Sequence, residues 1–295
     1  MGALFKIMAF KEKKTGLLII LFLGFLNIFA WLVIYFSQNK AITVTFFDVG
    51  QGDAILISQG DKQILIDGGP NSAVIEKLSS EMPFWDRNIE LVVLTHADSD
   101  HLSGLIDVLK SYQVERVVSN GLKENSADFK EWEDLLRKEK AEIRTVKLGD
   151  TVNINSQTVF EIIYPFEDLS LKQTENSNNN SLVIKFICKG KSFLFSGDVL
   201  KSGQKDIVEK GIDIDADVLK VSHHGSKSAN YNKFIEKVSP QLAVISVGAN
   251  NRYGHPDQET LDTLDKYGIK VLRTDLDKDI KISCSSQSLI PKEKE

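Results

Sequence analysis

The 295-residue chain is 42% hydrophobic and 26% charged, a composition that suits a globular protein with a substantial core and excludes a disordered or fibrous chain. Its formal net charge is −5, but residues 1–40 carry five lysines against one glutamate, so the remainder carries about −9. An acidic body does not attract nucleic acid through net charge, because phosphate contacts normally come from lysine and arginine.

The two cysteines, Cys188 and Cys284, do not form a C-x-x-C pair. Their spacing therefore indicates neither a thiolate zinc site nor a framework of disulfides. Both lie in alternating apolar segments, so we expect two small buried hydrophobic side chains, with their redox state left open.

Residues 15–36 (TGLLIILFLGFLNIFAWLVIYF) carry no charge, and as a helix they would be about 33 Å long, enough to span the hydrocarbon core of a bilayer. Lysines precede the segment, and Trp31 and Tyr35 lie near its far end, as interfacial aromatic residues do. We therefore predict a single-pass anchor in the lipid bilayer within residues 1–40, with a cytoplasmic N-terminus and an extracellular domain. The alternative, a cleaved signal peptide, is disfavoured because residues 37–41 (SQNKA) form a poor cleavage site.

After residue 40, short β-branched runs alternate with stretches of helical periodicity. We predict strands over residues 42–49, 54–58, 63–67, 91–95, 114–119, 158–164, 182–188, 192–196, 217–222, 241–247 and 280–284. We predict helices over residues 101–112, 127–140, 231–238 and 258–267, and a polar loop over residues 174–181. No linker interrupts the pattern, so residues 41–290 are expected to form one layered α/β domain, followed by a charged tail at 291–295.

The segment THADSDHL contains His96, Asp98, Asp100 and His101 directly after a predicted strand and at the start of a predicted helix. Imidazole and carboxylate groups together suit zinc, manganese or iron. The alternative is an acidic helix cap with incidental histidines, since helix N-termini favour negative charge. The chain has only five histidines, and two in one such turn favour a metal site.

The other chemically informative residues also follow predicted strands. His223 and His224 come at the end of one strand, His255 comes after the next, and Asp198 follows a third. Each histidine alone would be an ordinary loop or core residue. Loops at the carboxyl ends of strands gather at one rim of a sheet, however, so we expect these side chains to meet there.

Three further carboxylates lie near predicted strand ends. Asp67 precedes two glycines and is either an Asx-turn residue or a member of the site. Asp48 and Asp53 flank Gln51 in a predicted turn, where they could support the groups that bind a ligand.

The spacing H-x-D-x-D-H, then Ser196-Gly197-Asp198, then a later histidine resembles the metallo-β-lactamase superfamily, whose usual motif is H-x-H-x-D-H. Segments over about 42–285 are similar, in order, to the extracellular hydrolase domain of the ComEC family of DNA-uptake channel proteins. These segments are residues 47–54, 67–69, 95–101, 179–182, 196–198, 219–226 and 253–256. The resemblance implies an αββα sandwich, here preceded by one predicted transmembrane helix in place of a polytopic channel.

The resemblance also implies two divalent metal ions per chain. His96 and Asp98 would hold one ion, Asp100 and His101 the other, and Asp198 would bridge them. The remaining predicted residues are His224 and His255 as further ligands, His223 beside the leaving group, and Asp67, Asp48, Asp53 and Asn180 as supporting groups. Adjacent residues on a strand point in opposite directions, so one of His223 and His224 is a ligand, and which one stays open.

Two departures from the superfamily pattern bear on the metal. Asp98 stands where a second histidine is usual, and no histidine lies between His101 and His223, where Asn180 occupies the corresponding loop. Both changes replace nitrogen by oxygen, which shifts preference from zinc toward manganese. The metal is therefore predicted as zinc or manganese.

The function implied is a binuclear phosphodiesterase that acts on DNA or on a cell-surface phosphodiester such as teichoic acid. One alternative is an acyl hydrolase of lactamase or lactonase type, in which the same centre would act on a carbonyl. Another is a non-catalytic surface module that metal stabilises. The sequence names neither the substrate nor the oligomeric state, and it indicates no protein partner.

Overall fold

The computed structural model describes residues 15–16, 18–32, 41–155, 158–172 and 176–284. Residues 15–16 and 18–32 are helical (α1), and their large apolar side chains are exposed. Within these ranges, no helix combines the length and apolarity that crossing a membrane requires. Residues 17 and 33–36 of the predicted membrane segment, and the predicted tail at 291–295, lie outside the described residues, so the anchor and the tail stay predictions.

The chain divides into two compact units, Met1–Ala41 with Gln59–Asp61 and Ile42–Ser58 with Lys62–Glu295. The second unit contains every residue that the sequence predicts for the site.

The predicted strands and helices are present in the predicted order, together with elements that the sequence did not predict. The strands are β1 (Thr43–Phe46), β2 (Ile55–Gln59), β3 (Lys62–Ile66), β4 (Asn88–Ile89), β5 (Leu91–Leu94), β6 (Gln113–Val114), β7 (Arg116–Ser119), β8 (Glu142–Thr145), β9 (Thr151–Asn155), β10 (Thr158–Tyr164), β11 (Val183–Cys188), β12 (Lys191–Phe195), β13 (Val218–Lys220), β14 (Leu242–Ile245), β15 (Lys270–Arg273) and β16 (Ile280–Ser283). The further helices are α2 (Ala73–Glu81), α3 (Ser99–Ser111), α4 (Ala127–Glu139), α5 (Lys201–Glu209), α6 (Asn232–Val238), α7 (Gln258–Lys266) and α8 (Thr274–Asp277).

Two seven-stranded sheets form the centre of the domain, in the orders β16-β1-β2-β3-β5-β7-β8 and β15-β14-β13-β12-β11-β10-β9. Alternation along β3 shows how they are layered: Ile64 and Ile66 enter the core shared by both sheets, whereas Leu65 packs with α2, α3 and α4. Helices α5, α6 and α7 pack on the outer face of the other sheet, against residues such as Leu194 and Ala243. The predicted αββα sandwich is therefore confirmed.

Parallel strands bring the predicted site residues to one end of the sheets. In the first sheet β3, β5 and β7 are parallel, and in the second β12, β13 and β14 are parallel. Asp67, His96, Asp198 and His224 follow β3, β5, β12 and β13 respectively. Each of these side chains is therefore delivered by a loop that a buried strand fixes.

Helices α2 and α5 are absent from the predicted elements. Each spans nine residues, and α2 buries only Val74 and Leu78, too short a stripe to give a clear helical period. In α5 the buried positions include Gly203 and Gln204, which do not read as an apolar face. The predicted helix over 101–112 is confirmed as α3, with Leu102, among others, buried on its inner face.

The expectation of two separate buried cysteines is wrong, because Cys188 and Cys284 form a disulfide. Cys188 ends β11 in the second sheet, and Cys284 follows β16 in the first, so the bond joins the two sheets across their shared core. Their Cα atoms are 5.9 Å apart although 96 positions separate them in sequence. Cysteine spacing did not predict the pair, because only the stacking of the sheets brings the segments together.

Reduction should lower the free energy of unfolding by about 4 kcal/mol, because the bond closes a long loop in the unfolded chain. We expect urea unfolding of the wild-type protein to shift to a lower midpoint in reductant. The double variant C188A/C284A is the control and should not respond to reductant. Two free thiols in the unreduced, denatured wild-type protein would contradict the assignment.

Candidate metal centre

The loop after β1 is tightly packed against the start of α3. A Cβ atom at Gly52, where φ is +146°, would lie 2.2 Å from the backbone oxygen of Asp100. The next residue, Asp53, donates its backbone N–H to that same oxygen at 3.2 Å. Glycine is thus required at position 52, because a side chain there would prevent the close approach that places Asp53 and Asp100 in one site.

Asp67 orients the residues around it. It has a positive φ of 56°, which is unusual for a residue other than glycine. Its carboxylate accepts hydrogen bonds from the Thr95 backbone N–H (2.8 Å), from Thr95 Oγ1 (2.6 Å) and from His101 Nδ1 (2.8 Å). A carboxylate that holds Nδ1 of a histidine leaves Nε2 of that histidine available to a metal.

The same arrangement fixes two other histidines. His224 Nδ1 lies 2.9 Å from the backbone oxygen of Ser246, to which it donates. His96 Nδ1 lies 3.1 Å from Thr95 Oγ1, and that hydroxyl gives its proton to Asp67, so it accepts from the imidazole. In all three rings Nδ1 is engaged with an acceptor, so Nε2 is the atom offered to the site.

The Nε2 atoms of His96 and His101 are buried and have no hydrogen-bond partner within the described part of the chain. A buried nitrogen without a partner is costly, and a metal ion would satisfy it. The unpartnered Nε2 atoms of His96 and His101 therefore fit the metal ions that the resemblance implies.

Asp100, His101, Asp198 and His224 form one group, whose ligand atoms all lie within 4.8 Å of one another. Asp198 Oδ2 is 3.4 Å from Nε2 of His101 and 3.4 Å from Nε2 of His224, while His224 Nε2 is 3.2 Å from Asp100 Oδ2. These four residues could hold one divalent ion.

His96 and Asp98 flank this group. Their Nε2 and Oδ2 atoms are 3.8 Å apart, and the rings of His96 and His101 are 4.1 Å apart at their centroids. Asp98 occupies the N-cap position of α3 but makes no capping hydrogen bond. Its carboxylate accepts instead from the hydroxyl of Ser177. The acidic residues of this turn therefore face the site rather than the helix end.

His223 and His224 do not lie on a strand. They occupy the short turn Ser222–Gly225 with φ values of 49° and 54°, conformations that cost energy outside glycine. The premise that they diverge because they are strand neighbours is therefore wrong; the left-handed turn separates them. His224 enters the four-residue group, whereas His223 keeps 26% of its side chain exposed, with Nε2 3.9 Å from Asp198 Oδ2.

His255 lies beside His223, with ring centroids 5.8 Å apart, and its Nδ1 is 3.6 Å from Asp257. It is not a member of the four-residue group. Asn178 Nδ2, in the loop of the predicted polar segment, is 3.4 Å from His223 Nε2. Asn180 contributes its backbone oxygen, which accepts from Asn120 at 2.8 Å and ties this loop to the first sheet.

Asp48 faces the opposite direction from the histidines. Its carboxylate is 3.5 Å from Lys278, and its backbone N–H donates to Asp279 at 2.8 Å. Ser181 has a more direct part, since its hydroxyl accepts from the backbone N–H of Asp198 at 3.1 Å. The contacts with Lys278 and Asp279 thus tie Asp48 to the segment before β16 and not to the candidate ligands.

Lys220, absent from the predicted residues, is buried in the site with 1% of its side chain exposed. It forms an ion pair with Asp53 and lies 3.4 Å from Asp198 Oδ1. The sequence offers one signal for this role: Lys220 is a single lysine in the apolar run that ends at His223. A buried strand rarely contains a charged side chain unless that side chain is paired.

The pKa values of the site separate the histidines into two states in the metal-free protein. Burial lowers the pKa of His96 to about 4, so it is neutral at pH 7. Burial also disfavours charge on His101 and His224, but Asp198 raises the pKa of each, assisted by Asp67 and Asp100 respectively. The carboxylates that raise these pKa values are also the groups that would attract a metal ion, and a metal must displace any proton on the nitrogen that binds it.

The carboxylates show the complementary shift. Burial would raise the pKa of Asp198, but His224, His101 and Lys220 together hold it well below its ordinary value. Burial likewise opposes ionisation of Asp100, and its hydrogen bond with His224 lowers the pKa below the usual range. Both groups are therefore ionised at neutral pH.

A sequence profile of the metallo-beta-lactamase superfamily matches residues 47–249, which include most of this site. The chain belongs to the metallo-beta-lactamase superfamily. Among curated proteins it is 34% identical over 263 residues to "ComE operon protein 3" of Bacillus subtilis, covering 83% of this chain and 33% of that protein. It is 29% identical over 244 residues to "Competence protein ComA" of Neisseria gonorrhoeae, covering 81% of this chain and 32% of that protein.

This member of the metallo-beta-lactamase superfamily therefore spans about a third of the length of these two relatives. The first is named for the ComE operon and the second as a competence protein, which agrees with the resemblance to ComEC-type proteins. A solved structure, that of the metallo hydrolase Igni18 from Ignicoccus hospitalis, has the same fold with a TM-score of 0.52 and 14% identity. The alignment covers 81% of this chain and 98% of Igni18.

The geometry predicts different outcomes for the two adjacent histidines. His224→Ala removes an anchored ligand and should lower metal affinity by roughly 10- to 100-fold. His223→Ala should keep the wild-type metal content, because His223 lies outside the four-residue group. Metal bound after equilibrium dialysis, counted by elemental analysis, separates the two. If His223→Ala loses metal and His224→Ala does not, His223 is the ligand and His224 is not.

Proposed function

We propose that this domain is a binuclear metal-dependent phosphodiesterase, anchored in the cell membrane and acting outside the cytoplasm. The observation that carries the proposal is that the four-residue group around Asp198 adjoins a second pair of candidate ligands, His96 and Asp98, since the rings of His96 and His101 are 4.1 Å apart at their centroids. A buried carboxylate next to two such sets of donors is suited to serve two cations.

Two ions, zinc or manganese, would be held by the residues that the structure gathers. Asp100, His101, Asp198 and His224 would hold one, and His96 and Asp98, with Asp198 as the bridge, would hold the other. The donors are three imidazoles and three carboxylates, a set that both metals accept. When bound, the ions would activate a water molecule and neutralise charge that develops on the phosphoryl oxygens.

The protein's own residues supply the remaining chemistry. His223 is partly exposed and lies 3.9 Å from Asp198, at the open side of the site, so it is placed to give a proton to the leaving oxygen. Burial lowers the pKa of His223, against the opposing effect of Asp198, so its protonated form gives up a proton more readily than a free imidazolium does. The side-chain nitrogen of Asn178 lies 3.4 Å from His223 Nε2, beside the ring.

The substrate class is supported by the oxygen-rich donor set and by the relatives named for competence. Asp98 replaces a histidine of the usual motif, which favours a harder metal and a phosphoryl substrate. DNA is the first candidate, and a cell-surface phosphodiester such as teichoic acid is the second. The net charge of −5 makes a bound cation the principal attraction for phosphate.

The extracellular location rests on two independent features. Lysines precede the apolar segment at residues 15–36, which leaves the N-terminus in the cytoplasm by the positive-inside rule. The disulfide between Cys188 and Cys284 is of a kind that forms and persists in oxidising compartments outside the cytoplasm.

Parallel assays of the purified full-length protein in detergent, loaded with zinc or with manganese, test the proposal. We expect turnover of bis(p-nitrophenyl) phosphate and no turnover of nitrocefin. His223→Ala should cost roughly 10²–10⁴-fold in rate on a dialkyl phosphate ester such as a dinucleotide, and much less with p-nitrophenolate as the leaving group.

The outcomes separate the alternatives. Nitrocefin turnover without phosphodiester turnover would replace the proposal by an acyl hydrolase. Metal bound at full occupancy without either activity, over a panel that includes DNA and teichoic acid, would indicate a metal-stabilised module.

A further inference from the structure

Lys220 ends β13 with its ammonium group inside the site rather than at its rim. Only 1% of its side chain is exposed. The ammonium pairs with the carboxylate of Asp53, lies 3.4 Å from Asp198 Oδ1, and donates to the backbone oxygen of Gly197 at 3.0 Å. A buried ammonium group is stable only when such partners replace its hydration.

The carboxylates around Lys220 would suit a metal ion if the lysine were absent. Asp53, Asp67 and His101 are all buried, and each offers one ligand atom within 4.8 Å of the others. Asp53 Oδ1 has no hydrogen-bond partner in the part of the chain that the structure describes. Carboxylate oxygens such as those of Asp53 and Asp67 are the ligand type that hard divalent cations prefer.

We propose that the ammonium group of Lys220 occupies a latent divalent-cation site formed by Asp53, Asp67 and the Oδ1 side of Asp198. In the wild-type protein the lysine is the cation of this inner site, and its charge is independent of metal supply. The inner site is separate from the two places that the proposed function assigns to metal ions. Only the positioning role of Lys220, which follows, rests on the proposed function.

Lys220 also acts as a positioning residue for Asp198. The two oxygens of this carboxylate face different partners: Oδ1 faces Lys220, whereas Oδ2 faces His101, His224 and His223. With Oδ1 held by the ammonium, Oδ2 is the oxygen that remains for the ions of the metal centre.

Counting bound ions tests the inner site. Full-length wild-type protein, Lys220→Ala, Lys220→Arg and the double variant D53N/K220A are freed of metal, dialysed against excess Mn²⁺ and analysed for manganese per chain, with circular dichroism as the check of folding. We expect Lys220→Ala to bind one ion per chain more than the wild type, because the substitution removes the charge and makes room. Lys220→Arg keeps the charge, and D53N/K220A removes a donor, so neither should bind the additional ion.

A second measurement covers the case in which Lys220→Ala does not fold without metal. Mn²⁺ should then restore its folded circular-dichroism spectrum, since the ion replaces the ammonium. The proposal is overturned if Lys220→Ala binds the wild-type number of ions, if it stays unfolded with Mn²⁺, or if either control variant also takes up the additional ion. Failure of the proposed function can be distinguished from failure of this proposal. In that case the wild-type protein would bind few ions, but Lys220→Ala would still bind one ion more than the wild type.

Discussion

The need to neutralise buried carboxylates governs this site. Asp53, Asp67 and Asp198 are each almost fully buried, and ionised carboxylates are costly in such surroundings unless cations or hydrogen-bond donors compensate them. Lys220 compensates two of them, and Thr95 with His101 compensates the third. The remaining negative charge faces histidine rings, which either hold protons or give their place to metal.

This constraint explains the order of the side chains around the centre. Asp67 accepts hydrogen bonds from Thr95 and His101, so in the wild-type protein it orients a histidine of the metal centre. Asp198 has one oxygen engaged and one available. The histidines are fixed through Nδ1 and present Nε2. The chemistry therefore depends on supporting groups as much as on the ligands.

The scaffold holds these groups through its layering. Parallel strands in both sheets end at the same edge of the sandwich, and the side chains after β3, β5, β12 and β13 converge there. The disulfide between Cys188 and Cys284 joins the sheets in their shared core. Because the site draws residues from both sheets, a bond that resists their separation also stabilises the site.

Much of this arrangement could be predicted from local sequence. The alternation of short apolar strands with helices indicated the αββα layers, and the position of His96, Asp98, Asp100 and His101 after a strand indicated a metal site. These signals are local: each depends on residues within one strand–loop–helix unit. The resemblance to a known superfamily then placed Asp198 and His224 in the same centre.

What the sequence did not predict depends on contacts between distant segments. In the sequence, Lys220 is an unexplained charge in an apolar strand. Its role becomes clear only from its ion pairs with Asp53 and Asp198, which belong to other segments of the chain. The pairing of Cys188 with Cys284 needs both sheets. The left-handed turn at His223 and His224 leads into Gly225, which packs against Pro256 and leaves no room for a Cβ atom.

The central claim is that Asp198 joins two metal ions in one site, and ion counting in the Asp198→Ala variant tests it most directly. Full-length wild-type protein, reconstituted with zinc or manganese and dialysed, should contain two ions per chain. Removal of the shared carboxylate should reduce the content of both ions, to below one per chain, while Asp107→Ala, on the exposed face of α3, should retain two. Two ions and full phosphodiesterase activity in Asp198→Ala would contradict the claim.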